Sequence, residues 1–499
     1  MTNSSGKIKN VLFLIIILWS ALQIIFAIPD SVVEDWAGWR QADTQTIARN
    51  FFNSGENIFY PQINWGGNGP GYLECEFQLY TYSASLLMYV TGETELPGQL
   101  LNILVIALTA ITIFLLVKYK LKNESAALAG SVVFLTSNLG MHLSTAVMPD
   151  AMCILFYVIG FYFFVKFLDD KSNSSMLLFV LFSILSALIK PMALNLGIIQ
   201  FFIVLFGYRQ LLKSPKLWLS WLSIVAVTTV YLLFSNSLYQ QYGNTFGVLS
   251  GDSKFPTLKG LMQPVQYAKI IYLSVVWGLG VLGTLGFIYL VIKRRVSVIE
   301  WALIIGNLAA IFIPMRYTVD RGASHYYVFT AFFGAWLVGK AYMVLNEKEG
   351  RVKKILPSFA AVMILVFYLG HMYLRINPQS FHYEPEVVKI GNKLKEIVKP
   401  GDLIIARSVA DEREQSEWGN RINNFEDPRI FYLANVKGWS LPNDSKGFER
   451  IKKYIELGAD YFAEPFNRYD DETLYDWLDK NAELIFESDY GRIFRLSNF

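Results

Sequence analysis

A carboxylate stands on the apolar face of a predicted helix near the start of the chain. In DWAGWRQADTQTIARNFF, residues 35–52, apolar side chains recur with helical spacing at Trp36, Trp39, Ile47 and Phe51. Asp43 lies on that face, one turn from Trp39, and Arg40 precedes it. Burial would raise the pKa of Asp43, whereas pairing with Arg40 would lower it. Facing a cavity, this acid could accept a proton from a hydroxyl group; the simpler interpretation is an ordinary Arg–Asp pair at the end of an interfacial helix.

Further acids lie between apolar runs. Glu74 and Glu76 follow the turn GNGPG of residues 67–71. They are either solvated loop charges or ligands for an acceptor or a cation, and Cys75 between them is predicted to be a free thiol. Asp150 stands between Pro149 and an apolar helix. It is predicted to cap that helix, to face the same cavity as Asp43, or to do both.

Cations are expected at the same membrane level as these acids. Lys190 lies in ALIKPMAL, although lysine side chains also snorkel to membrane surfaces without any function. The segment MRYTVDRGASHYYVF, residues 315–329, contributes Arg316, Arg321, His325 and Tyr326. Cations at an outer membrane face do not serve topology signalling, but they fit binding of an anionic lipid phosphate. Acids for a base and cations for a phosphate together indicate a transferase that uses a lipid-phosphate donor.

The composition is that of a polytopic membrane protein. Of 499 residues, 53% are hydrophobic and only 17% are charged, and the mean hydropathy is +0.34. The net charge of +3 comes from scattered lysines and arginines, with no basic block that would suggest nucleic acid. Two cysteines and four histidines exclude a disulfide framework and a histidine-built metal site, while a cation bound by carboxylates stays possible.

Apolar runs predict about eleven transmembrane helices. They lie near 11–28, 97–117, 125–144, 151–168, 175–189, 193–208, 217–235, 270–292, 298–314, 325–345 and 355–374. In this count the Lys/Arg clusters that follow the second, fourth, sixth, eighth and tenth runs fall on the N-terminal, cytoplasmic side, as the positive-inside rule requires. The first run is predicted to be a retained span, since it lacks the cleavage site of a signal peptide.

Two segments are predicted to lie outside the bundle. The short apolar stretch 77–90 would invert the charge pattern if it spanned, so we expect an interfacial helix within a first outer loop of residues 29–96. After the transmembrane part, residues 1–374, helix and strand patterns alternate in VVKIGNKLKEIVKPGDLIIAR, FERIKKYIELGADYFAE and DETLYDWLDKNAELIFES. Residues 375–499 are therefore predicted to form a small extracytoplasmic α/β domain that lacks a nucleotide-binding loop.

The sequence resembles the GT-C class of polytopic glycosyltransferases. The similar segments are WRQADTQTIARNFF, GYLECEFQLYTY and VMPDA, followed by LIKP, SHYY and FYLANVKGW. Within the class the chain is similar to the protein O-mannosyltransferase-like superfamily, and particularly to bacterial enzymes of the dolichyl-phosphate-mannose-protein mannosyltransferase and aminoarabinose-transferase type. The resemblance covers nearly the whole chain.

The resemblance implies an inverting transfer of a sugar from a polyprenyl phosphate to a glycan, glycolipid or protein. The reaction would take place at the extracytoplasmic face of a bacterial cell membrane. Asp43 occupies the place of the family's first-loop acid, the catalytic base or acceptor-orienting group, and Asp150 matches the second-loop acid. Arg40 and Gln41 precede Asp43 where many relatives carry an adjacent acidic pair, which leaves Asp35 as a second candidate. No cofactor is certain, although some relatives bind a divalent cation near these acids.

Two other functions would explain the same sequence features. A polytopic transporter or lipid flippase would explain the helix count and the charges, but such proteins often carry internal repeats, and this sequence contains none. A polysaccharide polymerase or ligase would use a diphosphate-linked lipid instead of a monophosphate-linked one. A non-enzymatic scaffold would have little reason to gather acids and cations at one membrane level.

Overall fold

The computed structural model describes most of the chain in two compact units. The described residues are 2–28, 31–34, 37–250, 254–319, 321–347, 362, 365–366, 368–370, 373, 384–416, 419–422, 425–443, 447–466 and 472–496. The first unit comprises Met1–Asp30, Leu96–Tyr231 and Lys254–Asn377. The second comprises Ser31–Glu95, Leu232–Ser253 and Pro378–Phe499.

Helices dominate the chain up to residue 346. In chain order they are α1 Thr2–Ala27, α2 Gly38–Ser54, α3 Leu79–Thr91, α4 Leu96–Leu121, α5 Glu124–Leu135, α6 Asn138–Thr145, α7 Asp150–Asp170, α8 Asn173–Ile189, α9 Asn195–Gly207, α10 Pro215–Tyr242, α11 Leu258–Leu261, α12 Pro264–Leu273, α13 Gly280–Ile292, α14 Val298–Phe312, α15 Met315–Thr318 and α16 Val328–Asn346. Short 3₁₀ segments cover Pro191–Leu194, Arg209–Lys213 and Arg321–Tyr327, and a π-helical turn covers Ser274–Leu279.

The predicted apolar runs coincide with helices. Among the described residues, six helices are long and apolar enough to cross a membrane, and the bent pair α5–α6, at 57°, would make seven. Shorter apolar helices cover 173–189, 191–207 and 298–312. Ten of the eleven expected runs therefore fall on helices, while the last, 355–374, lies mostly outside the described residues. The number of crossings stays a prediction.

Local signals explain where several of these helices begin and how closely they pack. Asn123 accepts a hydrogen bond from the amide of Ala126 at the start of α5, and Ser297 forms a capping box with Glu300 at the start of α14. Glycines bring helices of the first unit together. A Cβ atom on Gly283 of α13 would lie 2.9 Å from the Cα atom of Gly334 of α16, so a larger residue at this crossing would force the helices apart.

The second unit contains a six-stranded sheet built from distant parts of the chain. The strands are β1 Gly66–Gly67, β2 Leu73–Glu74, β3 Asn244–Thr245, β4 Leu403–Arg407, β5 Arg413–Ser416, β6 Gly419–Ile422, β7 Lys437–Leu441, β8 Tyr461–Pro465, β9 Glu483–Ser488 and β10 Gly491–Arg495. The large sheet has the order β1-β7-β4-β8-β10-β9. Strands β7, β4 and β8 are parallel, whereas β1, β10 and β9 pair antiparallel to their neighbours. Helices Pro385–Ile397, Arg429–Ala434, Gly447–Glu456 and Glu472–Asn481 complete the helix–strand alternation.

The first outer loop shares the hydrophobic core of this sheet. Ile47 and Phe51 of α2 belong to one buried cluster with Ile390, Ile404 and Phe431. Strand β1 extends the sheet through the register Gly66↔Trp439 and Gly67↔Gly438. Residues 31–95 therefore pack with 384–496 in one unit, whereas the sequence assigned the loop to the transmembrane part. The predicted boundary near residue 374 stays a prediction, since residues 374–383 are not described.

Candidate functional site

The α2 helix holds Asp43 in a buried position of the second unit. The predicted helical face is present, with Ile47, Phe51 and Asp43 all buried, and only 4% of Asp43 is exposed. One carboxylate oxygen, Oδ1, accepts a hydrogen bond of 2.9 Å from the indole Nε1 of Trp65. The indole fixes Oδ1, so Oδ2 is the carboxylate oxygen that does not accept a hydrogen bond from Trp65. Trp36 and Asp35, the second acid candidate, lie outside the described residues.

The surroundings of Asp43 make it a weak acid. Burial raises its pKa from 3.8 to about 7, since removal from water disfavours the charged carboxylate. The hydrogen bond from Trp65 and the positive charge of Arg40 act in the opposite direction, and the acids Asp427 and Glu426 raise the pKa further. A carboxylate with a pKa near neutrality is suited to general base catalysis.

Arg40 does not form the expected pair with Asp43. Its guanidinium forms an ion pair with Glu76 and lies 4.8 Å from the ring centroid of Phe246. The interpretation of Arg40 and Asp43 as an ordinary ion pair is therefore wrong, because Arg40 pairs instead with Glu76, 36 residues away in the sequence. Gln41, next to it on α2, is almost completely buried.

The two acids that follow the turn 67–71 are buried, which excludes their interpretation as solvated loop charges. Glu74 is completely buried and Glu76 is 8% exposed. The carboxylate of Glu74 accepts hydrogen bonds from the amide of Leu249 at 2.6 Å, the amide of Ser250 and the hydroxyl of Thr245. Glu74 thus holds the segment 245–250 within the second unit. Cys75 is a buried thiol that forms no disulfide, as predicted.

In the first unit, Lys190 and Asp150 form an ion pair. Lys190 follows the last residue of α8, and its ammonium group lies 4.7 Å from the ring centroid of Tyr326. Asp150 is the first residue of α7, whose N-cap is Pro149 without a side-chain hydrogen bond. The N-cap interpretation of Asp150 is therefore wrong by one position, and its carboxylate faces a lysine 40 residues away in sequence.

The other predicted cations lie close to Tyr326 in the sequence. Arg316 is 7% exposed on α15. The half-buried ring of His325 lies 4.7 Å from that of Tyr326. The side chain of Arg321 lies outside the described part of the structure. Asp43, Arg40, Gln41 and Glu76 thus belong to one unit, while the cluster of Asp150, Lys190 and Tyr326 belongs to the other, and convergence of all these groups on one cavity stays a prediction.

The described residues do not form a protein-built metal site. Within the described ranges no three histidine, cysteine, aspartate or glutamate side chains gather as metal ligands. The carboxylates of Asp43, Glu76 and Asp150 are engaged by Trp65, Arg40 and Lys190 respectively. Divalent cations prefer several oxygen ligands, so these residues do not fit such a cation.

Sequence reasoning missed Trp65, the direct partner of Asp43. Trp65 precedes the glycine pair of β1, and Trp439 lies opposite Gly66 in the sheet. The available signal was an indole in the polar, glycine-rich stretch INWGGNG, where an exposed tryptophan would have no evident use. It also missed the influence of Asp427 and Glu426 on Asp43. These acids are nearly 400 residues away in the sequence, so no local pattern indicates that they act on Asp43.

Comparisons with known proteins agree with this architecture. Residues 78–234 match the model of the family described as dolichyl-phosphate-mannose-protein mannosyltransferase. The structure is similar to that of ArnT from Cupriavidus metallidurans bound to undecaprenyl phosphate, with 10% identity over 96% of this chain and 97% of that chain and a TM-score of 0.57. No curated protein matches the sequence.

A second similar structure is the archaeal oligosaccharyltransferase AglB from Archaeoglobus fulgidus, in complex with an inhibitory peptide and a dolichol-phosphate. It has 12% identity over 92% of this chain and 70% of that chain, with a TM-score of 0.57. The resemblance predicted from the sequence is therefore confirmed, and the chain is an integral membrane protein with the fold of the GT-C glycosyltransferases, whose segment 78–234 matches the mannosyltransferase family.

Proposed function

We propose that the chain transfers a monosaccharide from a polyprenyl phosphate to an acceptor at the extracytoplasmic face of the membrane. The acceptor is a hydroxyl group of a glycan, glycolipid or protein. The two similar structures bind undecaprenyl phosphate and dolichol-phosphate, which supports a lipid-phosphate donor. The observation that carries the proposal is Asp43, a buried carboxylate with a pKa of about 7 and one oxygen fixed by an indole.

In the proposed reaction Asp43 acts as the general base. The acceptor oxygen attacks C1 of the sugar as its proton passes to the carboxylate of Asp43. The bond between C1 and the phosphate oxygen breaks, and the electron pair leaves with the polyprenyl phosphate. Attack opposite the leaving group inverts the configuration at C1. No nucleotide takes part, because the donor is already activated by its phosphate.

Lys190 is the proposed cation for the donor phosphate. Negative charge increases on the phosphate as the C1–O bond breaks, and a preorganised cation stabilises this charge. Its pairing with Asp150 and its position against the ring of Tyr326 restrict the ammonium group before a donor binds. Arg316 is a second candidate for this role, because it is buried and lies close to Tyr326 in the sequence.

The test is turnover of the purified protein with a polyprenyl-phosphate monosaccharide. Asp43→Asn keeps an oxygen that accepts the N–H of Trp65 but cannot take a proton, so we expect turnover to fall by about 10²–10⁴-fold with an unchanged unfolding temperature. Asp479→Asn, at an exposed position of the second unit, is the matched control and should retain wild-type turnover. Wild-type rates in the Asp43 variant would remove this residue from the mechanism.

The alternatives give different results in the same assay. A polysaccharide polymerase or ligase would turn over diphosphate-linked donors and not monophosphate-linked ones. A transporter or flippase would release no sugar–acceptor product with either donor. Product formation only with the monophosphate donor is the result expected here.

A further inference from the structure

The connection between α6 and α7 leads to Asp150 through the interior of the first unit. Ala146, Val147 and Met148 follow the last residue of α6 and are not helical. All three are almost completely buried, and Asp150 begins α7. Backbone carbonyls that are buried outside a helix need hydrogen-bond donors from elsewhere in the fold. The position of this connection therefore depends on the donors that reach it.

Asn102 of α4 supplies such donors. Its side chain is completely buried, and Nδ2 donates to the carbonyl of Ala146 at 2.5 Å and to that of Met148 at 3.0 Å. The two bonds use both hydrogens of the amide. With the amide reversed, Oδ1 would face two carbonyl oxygens, so only this orientation is favourable. Helix α4 is long and apolar enough to cross a membrane, and an amide is costly there unless its hydrogens are paired.

The hydrogen bond to Met148 fixes the start of α7. Pro149 follows directly, and its ring holds φ near the observed −70°. The next residue is Asp150, which forms the ion pair with Lys190. A displacement of the Met148 carbonyl would therefore move the carboxylate of Asp150.

The backbone of Lys190 is held from the other side, through α8. Its amide donates to the carbonyl of Ser186 at 2.9 Å, and the hydroxyl of Ser186 donates to the carbonyl of Cys153 at 2.9 Å. Cys153 lies in the first turn of α7, the turn that Asp150 begins. The backbone at Lys190 is thus fixed, whereas the direction of its flexible side chain depends on Asp150 and on the ring of Tyr326.

We propose that Asn102 is a positioning residue for the binding of the donor phosphate. Through the carbonyls of Ala146 and Met148 it fixes Asp150, and Asp150 holds the ammonium group of Lys190 where the phosphate binds. Asn102 hydrogen-bonds the backbone of the connection and acts through this series of contacts. Binding groups depend on such supporting residues, because small displacements weaken the interaction. The inference rests on the role proposed above for Lys190.

The test is inhibition of the purified protein by polyprenyl phosphate without a sugar, which competes with the donor. In Asn102→Ala both donors are lost, and we expect the inhibition constant Ki to rise about three- to tenfold, the value of one hydrogen bond. A merely structural role would reduce the fraction of active protein, and hence kcat, without changing Ki. Asn307→Ala is the matched control and should keep the wild-type Ki. Asn307 is also a buried asparagine of the first unit, but its Nδ2 donates to a carbonyl of its own helix.

Combination with Lys190→Met provides the second arm. Because Asn102 acts through Lys190, the double variant should have the same Ki as Lys190→Met alone. A further rise in the double variant, or a wild-type Ki in Asn102→Ala when Lys190→Met raises it, would overturn this inference alone. An unchanged Ki in Lys190→Met would overturn the proposed role of Lys190 and this inference with it. If Asn102→Ala does not fold, Asn102→Ser, which retains a hydroxyl donor, replaces it in each measurement.

Discussion

The hydrogen bond from Trp65 to Asp43 lowers the pH at which the proposed base works. A base must be deprotonated, so kcat/KM should fall below the pKa of Asp43, which is about 7. The indole N–H favours the carboxylate form. In Trp65→Phe this bond is lost, and we expect the acidic limb of the kcat/KM profile to move up by about one pH unit. Trp477→Phe, elsewhere in the second unit, should leave the profile unchanged.

A merely structural role for Trp65 gives another result. Loss of packing would lower kcat/KM by the same factor at every pH and would lower the unfolding temperature, without moving the limb. The measurement is the pH–rate profile of both variants with the polyprenyl-phosphate donor. An unmoved limb in Trp65→Phe would show that the indole does not tune Asp43.

The ion pair of Lys190 and Asp150 admits both a structural and a binding role, and two variants separate them. Lys190→Met removes the cation but leaves the carboxylate of Asp150 buried with its lysine missing, which costs stability. Asp150→Asn combined with Lys190→Met removes both charges. If Lys190 binds the donor phosphate, the double variant regains thermal stability, but its KM for the donor stays raised at least tenfold. Recovery of KM in the double variant would assign the pair to structure alone.

Among the elements, strand β1 depends on a glycine with unusual backbone geometry. Gly67 has φ +85°, and a Cβ atom there would lie 2.5 Å from Nε1 of Trp439. Gly67→Ala should therefore destabilise the second unit by about 1–3 kcal/mol. Amide exchange in 437–441 should also become faster, since Gly438 donates to the carbonyl of Asn64. Gly69→Ala is the matched control, because a Cβ atom there meets nothing within 4 Å; equal effects of both substitutions would contradict the role of β1.

The elements themselves were largely predictable, because their signals are local. Ten apolar runs fall on helices, the spacing of residues 39–51 predicted α2, and the alternation after residue 384 predicted helix Pro385–Ile397 before β4. Hydrophobic periodicity and turn residues suffice for this. The partners were not predictable. Arg40 meets Glu76 and Asp150 meets Lys190 across 36 and 40 residues, because the fold brings them together.

At the scale of the whole molecule, the sheets constrain the topology. Strand β1 pairs with β7, and β2 pairs with β3, so the segments around 66–74, 244–245 and 437–441 are hydrogen-bonded within one unit. Strands cannot pair across a bilayer. An even number of crossings must therefore separate each of these segments from the next. The expected runs meet this condition, with six between residues 95 and 243 and four between 253 and 384.

Accessibility of single cysteines tests this constraint. The native Cys75 and Cys153 are buried and should give little background. We expect a membrane-impermeant maleimide to label Ser54→Cys, Leu249→Cys and Asn481→Cys in intact cells, since all three positions are exposed in segments of the second unit. Lys213→Cys, in a connection separated from Ser54 by five expected runs, should react only after permeabilisation. Labelling of Leu249→Cys or Asn481→Cys that differed from Ser54→Cys would be incompatible with the shared sheets, because strand pairing requires one side of the membrane for all three.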